Sequence, residues 1–331
     1  MKKKILLVRL DKIGDLICTL PVDQVLDDAV YDVTWVIQKG LNKILDLGEK
    51  KRKYIELDKN NIHGSRIKFA KLLAQNKFDT AISFQCPWWV NFEIFKAGIK
   101  KRIGVLSQWH SFLFLNQGLR QKRSQAVQHE FDYNLDLVKK LTGPIDVQSS
   151  QLLFKFKKPN SSEVIQKFNL SHYVVVHPGM MGSALNWPQH KYIEYIYSLI
   201  AQQKIVAVTG TDADTPYLLK IRAEFENHKS VVWLQSKLNF EELIQVLYYS
   251  EKVIAPSTGV AHMAASLDKE VHAIFSPLRV HHPRRWSPRG HHVHIYLPIM
   301  PEGELICEGS KTCKVKNCRH RNCMEFINLS I

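Results

Sequence analysis

Apolar residues in this chain fall into short runs of strand length, separated by stretches in which they recur at helical spacing. KKILLVRL reads as a first buried strand, and LICTLPVDQVLDDAV as a helix broken or restarted at Pro21. VTWVIQ reads as a second strand, and SRIKFAKLLAQNK as a helix with Ser65 as its cap. DTAISF is a third strand and KRIGV a fourth, and HEFDYNLDLVKKL is an amphipathic helix ended by Thr142, Gly143 and Pro144. From Gly143 to Ser150 the alternation lapses, and then it restarts. The second series offers the strands HYVVVHPG, KIVAVTG, SVVWLQ, KVIAPS and VHAIFSP. Between them lie the helices QHKYIEYIYSLIAQQ, PYLLKIRAEFEN, NFEELIQVLYYS (capped by Asn239) and one that starts after Gly259. Such alternation predicts an α/β fold of parallel sheets with helices on both faces. Two series predict two doubly wound domains, residues 1–150 and 151–331, facing each other across a cleft. Ligands of such folds sit at the carboxyl ends of the strands.

Composition narrows the function classes. With 331 residues the chain is long enough for two cores, and 45% hydrophobic against 23% charged residues excludes a disordered chain. No apolar run reaches the roughly 20 residues that cross a bilayer. The basic start MKKK resembles a signal peptide, but ILLVRL is interrupted by Arg9 and soon followed by Asp11, so a cytoplasmic protein is expected. A formal net charge of +15 favours an anionic partner: nucleic acid, an acidic membrane face or a phosphorylated substrate. Four of the six cysteines, Cys307, Cys313, Cys318 and Cys323, cluster near the end without a C-x-x-C pair. They make either an irregular zinc site or a basic tail of free thiols.

The chemically distinctive residues lie at strand ends. After the first strand come Asp11, Lys12, Gly14 and Asp15. Asp15, in the first turn of a helix, is either a general base for a hydroxyl or a plain N-terminal charge. In HPGMMG a loop with Gly179, Met180, Met181 and Gly182 can turn backbone N–H groups towards phosphate oxygens. In VTGTDADTP, Asp212 and Asp214 either hold ribose hydroxyls or cap the next helix. Ser257, Thr258 and Gly259 precede a small-residue helix whose free N–H groups and dipole make an anion site. His262, three residues further on, either reaches the same ligand or is structural. Arg279, Arg284, Arg285 and Arg289 share the following loop with four histidines, and arginine forks suit phosphate.

In this order the motifs ILLVRLDKIGDLICTLP, HPG…NWP, VTGTDAD, STGVAHMAASL and PRRWSPRG resemble glycosyltransferase family 9, the heptosyltransferases of lipopolysaccharide core assembly. The resemblance implies a GT-B architecture, with the acceptor on the first Rossmann-like domain and a sugar nucleotide on the second. It implies an inverting transfer of a heptose or related sugar from an ADP-sugar, with no metal and no cofactor. Asp15 falls on the family's catalytic aspartate, and Asp11, Lys12 and Gly14 lie on the acceptor side. Gly179, Met180, Met181, Asp212, Ser257, Thr258, Gly259 and His262 fall on the donor side.

Two positions depart from the well-known members: Leu185 stands where those carry a lysine, and Ser257 where those carry an acidic residue, although other family sequences with STG tend to carry a P-x-R-W segment downstream, as this one does. Arg284 or Arg285 is expected to supply the charge that Leu185 lacks. The implied acceptor is an anionic core oligosaccharide on a lipid anchor at the inner face of the cytoplasmic membrane, served by a monomer. GVLSQWHSFLFLNQGLRQKR either rests on that membrane or is an ordinary packed segment. A nucleic-acid-binding protein would explain the charge but not the strand-end motifs, and no nucleic acid is expected. A catalytically silent sugar-nucleotide-binding protein and a GT-B transferase using another nucleotide sugar are the remaining alternatives.

Overall fold

The computed structural model describes residues 1–180, 182, 184–299, 307, 313 and 322–329. They form two compact units, Met1–Arg123 with Gln128–Phe156, and Ser124–Val127 with Lys157–Ile331. Residues 151–156 stay with the first unit, where Phe156 bridges to Gly48 and the Lys155 carbonyl accepts from the Glu49 N–H.

The first unit carries six parallel strands: β1 (Lys3–Arg9), β2 (Tyr31–Gln38), β3 (Lys53–Leu57), β4 (Thr80–Ser83), β5 (Lys101–Val105) and β6 (Gln117–Leu119). Their spatial order is β3-β2-β1-β4-β5-β6. The second unit repeats the plan with β7 (Tyr173–Val176), β8 (Ile205–Val208), β9 (Val231–Trp233), β10 (Lys252–Pro256), β11 (Glu270–Ile274) and β12 (Val293–Tyr296), in the order β12-β11-β10-β7-β8-β9. In each sheet the order reverses once, between β1 and β4 and between β7 and β10. A reversal sends the flanking connections to opposite faces and opens a crevice at the carboxyl ends of those two strands.

The central strands are apolar because both of their faces are covered. Ile5, Leu6, Leu7 and Val8 of β1 are fully buried, as are Val174, Val175 and Val176 of β7. Helix packing completes each core, with Phe69, Trp89 and Ile94 in the first and Tyr192, Tyr195 and Ile196 in the second.

Three strands escape the hydrophobic pattern: β3, β6 and β12. All are edge strands, half in water, so KYIEL, QGL and VHIY lack the apolar run of a buried strand. DTAISF and KRIGV therefore contribute the fourth and fifth strands rather than the third and fourth. Ser65 is not a cap. The helix Ile62–Asn76 begins at Asn61, whose side chain accepts from the Gly64 N–H at 3.1 Å. Ser65 lies inside the helix, where its hydroxyl donates to the Asp58 carbonyl at 2.8 Å. The break at Pro21 is real: the helix Ile13–Thr19 passes into a 3-10 turn, Leu20–Val25. Among the described residues no helix is long and apolar enough to cross a membrane.

Candidate active site

In the first unit the crevice residues hang on one buried side chain. Arg9 ends β1 with a side chain that is 0% exposed. Its Nε lies 2.8 Å from Asp11 Oδ2 and its Nη2 2.7 Å from Asp15 Oδ1. Its Nη1 donates to the Phe84 carbonyl at 2.7 Å and lies 3.2 Å from Glu130 Oε1. Burial pulls the Arg9 pKa down, but Asp11, Asp15 and Glu130 outweigh it and hold the guanidinium above its ordinary value. Burial pushes the Asp11 carboxyl up, opposed by Arg9.

The contacts close into a ring. Glu130 also pairs with Arg123, whose Nη2 donates to Asn134 Oδ1 at 3.0 Å. Asn134 donates to the Thr19 hydroxyl at 3.0 Å, and Thr19 donates to the Asp15 carbonyl at 2.6 Å. Asp15 is thus fixed through its side chain by Arg9 and through its backbone by Thr19. It stands in the first turn of the helix Ile13–Thr19, after Lys12 and Gly14. Across the reversal, Gln85 follows β4 with φ of +114°, a conformation costly for a side-chain-bearing residue and concentrated at functional sites. Burial pushes the neighbouring Cys86 thiol up, so it is no ready nucleophile.

In the second unit the two glycine motifs flank the reversal, HPG after β7 and STG after β10. The His177 N–H donates to the Ile254 carbonyl at 2.9 Å, tying the HPG loop to β10. Gly179 has no room for a side chain, since a Cβ there would lie 2.2 Å from Asp214 Cγ. Asp214, not Asp212, is the structural carboxylate. Its Oδ2 accepts from the Thr211 N–H at 2.9 Å and the Thr211 hydroxyl at 2.8 Å, and its buried Oδ1 makes no hydrogen bond. Asp212 is exposed and accepts from the Ser236 hydroxyl. His177 is buried beside this group, with Nδ1 3.0 Å from the Thr209 hydroxyl. Burial pushes its pKa down to about 4, partly opposed by Asp214, so the imidazole is neutral at pH 7.

The helix Gly259–Ser266 begins at extended Thr258 without a side-chain cap, and the Thr258 hydroxyl oxygen is buried without a hydrogen bond. Its first-turn N–H groups are therefore available to an anion. Ser257 precedes it, half-buried, with its N–H on the Ile274 carbonyl. His262 is buried one turn inside the helix, and its carbonyl accepts from the Ser266 hydroxyl at 2.8 Å. At the other end Gly290 approaches so closely that a Cβ there would lie 2.8 Å from the Ala265 carbonyl oxygen. This contact seats the arginine segment on the helix. Arg284 and Arg285 lie in the turn Pro283–Trp286, Arg284 exposed and Arg285 stacked 4.5 Å from the Trp286 ring centre.

Other sequence candidates are placed differently. Met180 is buried, and Met181 lies outside the described residues. Leu185, half-buried, packs against the apolar cluster that contains Trp187 and Met324. It also lines a cavity of about 390 Å³ together with Lys220, Cys307, Cys313 and Cys323. Cys318 lies outside the described residues.

Sequence reasoning passed over Arg9, Glu130, Gln85 and His177. Arg9 left a signal, a charge inside an otherwise apolar strand, and His177 stands in the HPG motif; Glu130 and Gln85 left none.

These two Rossmann-like units, each with its candidate residues at a strand reversal, have the GT-B architecture of glycosyltransferases. Residues 66–315 match the model of glycosyltransferase family 9 (heptosyltransferase), and the chain belongs to that family. It is 25% identical over 301 residues, 86% of each chain, to a Haemophilus influenzae protein with a provisional glycosyltransferase name. A family 9 glycosyl transferase from Veillonella parvula superposes with a TM-score of 0.75 at 18% identity, covering 88% of this chain and 85% of the other. The ADP-heptose lipopolysaccharide heptosyltransferase II of E. coli superposes with a TM-score of 0.74 at 19% identity, covering 92% and 93%.

The neutral, buried His177 makes stability depend on pH. Its folded pKa lies below the unfolded value, so its contribution is complete above about pH 6.5 and lost as pH falls towards 4. Urea unfolding between pH 7 and 4.5 is expected to show a smaller pH slope in His177→Asn than in the parent. Equal slopes would contradict the buried neutral state.

Proposed function

We propose that the chain moves a heptose, or a related sugar, from an ADP-sugar to a lipopolysaccharide inner-core acceptor by an inverting displacement that needs no metal. The observation that carries this reading is the uncapped helix mouth at Thr258 and Gly259, beside the glycine loop at the reversal of the second sheet. A diphosphate matches those N–H groups in charge and in size. The donor class rests on the family and on the ADP-heptose named for the similar E. coli protein.

In this mechanism Asp15 accepts the proton of the acceptor hydroxyl while the oxygen attacks the anomeric carbon. Arg9 keeps Oδ1 occupied and so fixes the carboxylate's direction. Direct attack opposite the leaving group inverts the anomeric centre. The leaving diphosphate gathers charge, and dipoles already aimed at it lower the barrier without reorganising. The donors are the N–H groups of the Gly259 turn, the HPG loop and the guanidinium groups of Arg284 and Arg285, with the Thr258 hydroxyl joining after a rotation about χ1. Asp212, exposed at the end of β8, takes the ribose, while Asp214 holds the loop's shape.

A lipid-linked acceptor places the work at a membrane surface, and the first unit presents a suitable face. On the helices Trp88–Lys96 and Trp109–Phe114, Trp88, Phe95, Trp109, Phe112 and Leu113 are exposed, Trp109 by 64%. Arginines flank them: Arg66 stacks over Trp88, Arg102 over Phe95 and Arg120 over Phe112. Aromatic side chains among cations suit an anionic lipid surface.

Two measurements test the proposal. Asp15→Asn is expected to bind the donor as the parent does and to lose on the order of 10²–10⁴ in transfer rate. Turnover close to that of the parent would remove Asp15 from the role, whereas donor binding without turnover in the parent itself would mark a silent binding protein. For the membrane face, sedimentation with phosphatidylglycerol vesicles is expected to weaken in Trp109→Ser with Phe112→Ser, and at high salt. Binding unchanged by either would assign attachment elsewhere.

A further inference from the structure

We infer that Glu270, His272 and His294 form a site for a divalent transition-metal cation of the Zn²⁺ class, apart from the strand ends proposed for the donor. Glu270 and His272 are two residues apart on β11 and so point to one face of the sheet. His294 of β12 lies directly opposite His272 in the parallel register. One ligand atom from each of the three lies within 4.8 Å of the others. Tetrahedral bonds of about 2.1 Å set ligand atoms about 3.4 Å apart, so small side-chain rotations suffice.

The chemistry of the set points to the metal class. Two imidazoles with one carboxylate suit Zn²⁺ better than Mg²⁺ or Ca²⁺, which prefer all-oxygen shells. His272 Nε2 already faces Glu270 Oε1 at 2.7 Å, and Nδ1 lies 2.9 Å from the Tyr296 hydroxyl. In the metal-free protein the Glu270 carboxylate makes Nε2–H the donor and Nδ1 accepts from the Tyr296 hydroxyl; a cation taking Nε2 and Glu270 would displace that proton, leaving Nδ1–H to donate to the Tyr296 oxygen. A hydrogen bond from the second ring nitrogen is what orients metal-binding histidines generally. The opposing charge is Lys252, across from Glu270 on β10, and a cation must displace or tolerate it.

Location assigns the role. Glu270 opens β11, whereas Ser257 and Gly259 follow the far end of β10, so the cluster sits at the opposite edge of the sheet from the anion site. β12 is an edge strand whose one strand neighbour among the described residues is β11. A bound cation would clamp it there and raise the stability of the second unit.

The test uses the full chain, stripped with a chelator and titrated with Co²⁺ as a visible probe and Zn²⁺ as competitor. The expected result is one Co²⁺ per chain with visible d–d bands and no thiolate charge-transfer band, displaced by Zn²⁺. Glu270→Gln and His294→Asn, both at exposed positions, are expected to lower affinity about tenfold or more. Tyr296→Phe is expected to lower it with the ligands intact, and Zn²⁺ is expected to raise the melting temperature of the parent but not of His294→Asn. No uptake, uptake indifferent to these variants, or a thiolate band tracing the metal to the cysteines would each overturn the inference.

Discussion

Backbone N–H groups at the start of the helix Gly259–Ser266 have no side-chain cap, and the donor half of the proposed site depends on that. A helix end left without partners usually meets water, a cap or a ligand. Here the strand reversal places the end in a crevice, beside a loop whose glycine is demanded by contact with Asp214. In the proposed site that helix end supplies positive potential, while Leu185, half-buried, packs against the apolar cluster and offers no charge.

The first unit solves the complementary problem, holding a carboxylate still. Arg9 is wholly buried, and a guanidinium remains in the interior only when carboxylates surround it. Three do, and the arrangement fixes Asp15 through Arg9 and Thr19 at once. Removing Arg9 would leave Asp11, Asp15 and Glu130 repelling one another. The residue that orients the proposed base also keeps the end of β1 assembled, so stability and chemistry are coupled at this point.

Much of this was legible from sequence because buried parallel strands and their helices leave strong periodic signals. ILLVRL, YVVVHPG and KVIAPS declared the central strands, and the glycine motifs after them marked the crevices. The edge strands β3, β6 and β12 were hidden because half-exposed strands need no apolar run. The ring of Arg9, Glu130, Arg123, Asn134 and Thr19 was hidden for another reason: its members come from positions 9 to 134, and no local pattern joins them. Asp212 and Asp214 look alike in the sequence; only burial and the Thr211 contacts separate the structural one from the exposed one. Gln85 gave no signal, since its strain is a property of the backbone.

The central claim is the anion site at the mouth of the Gly259 helix, and a crystal structure with ADP bound tests it most directly. The account predicts the diphosphate within hydrogen-bonding distance of the N–H groups at Gly259 and Val260. ADP bound instead in the cavity beside Leu185 and Cys323, or the helix mouth left to water while ADP binds elsewhere, would contradict it.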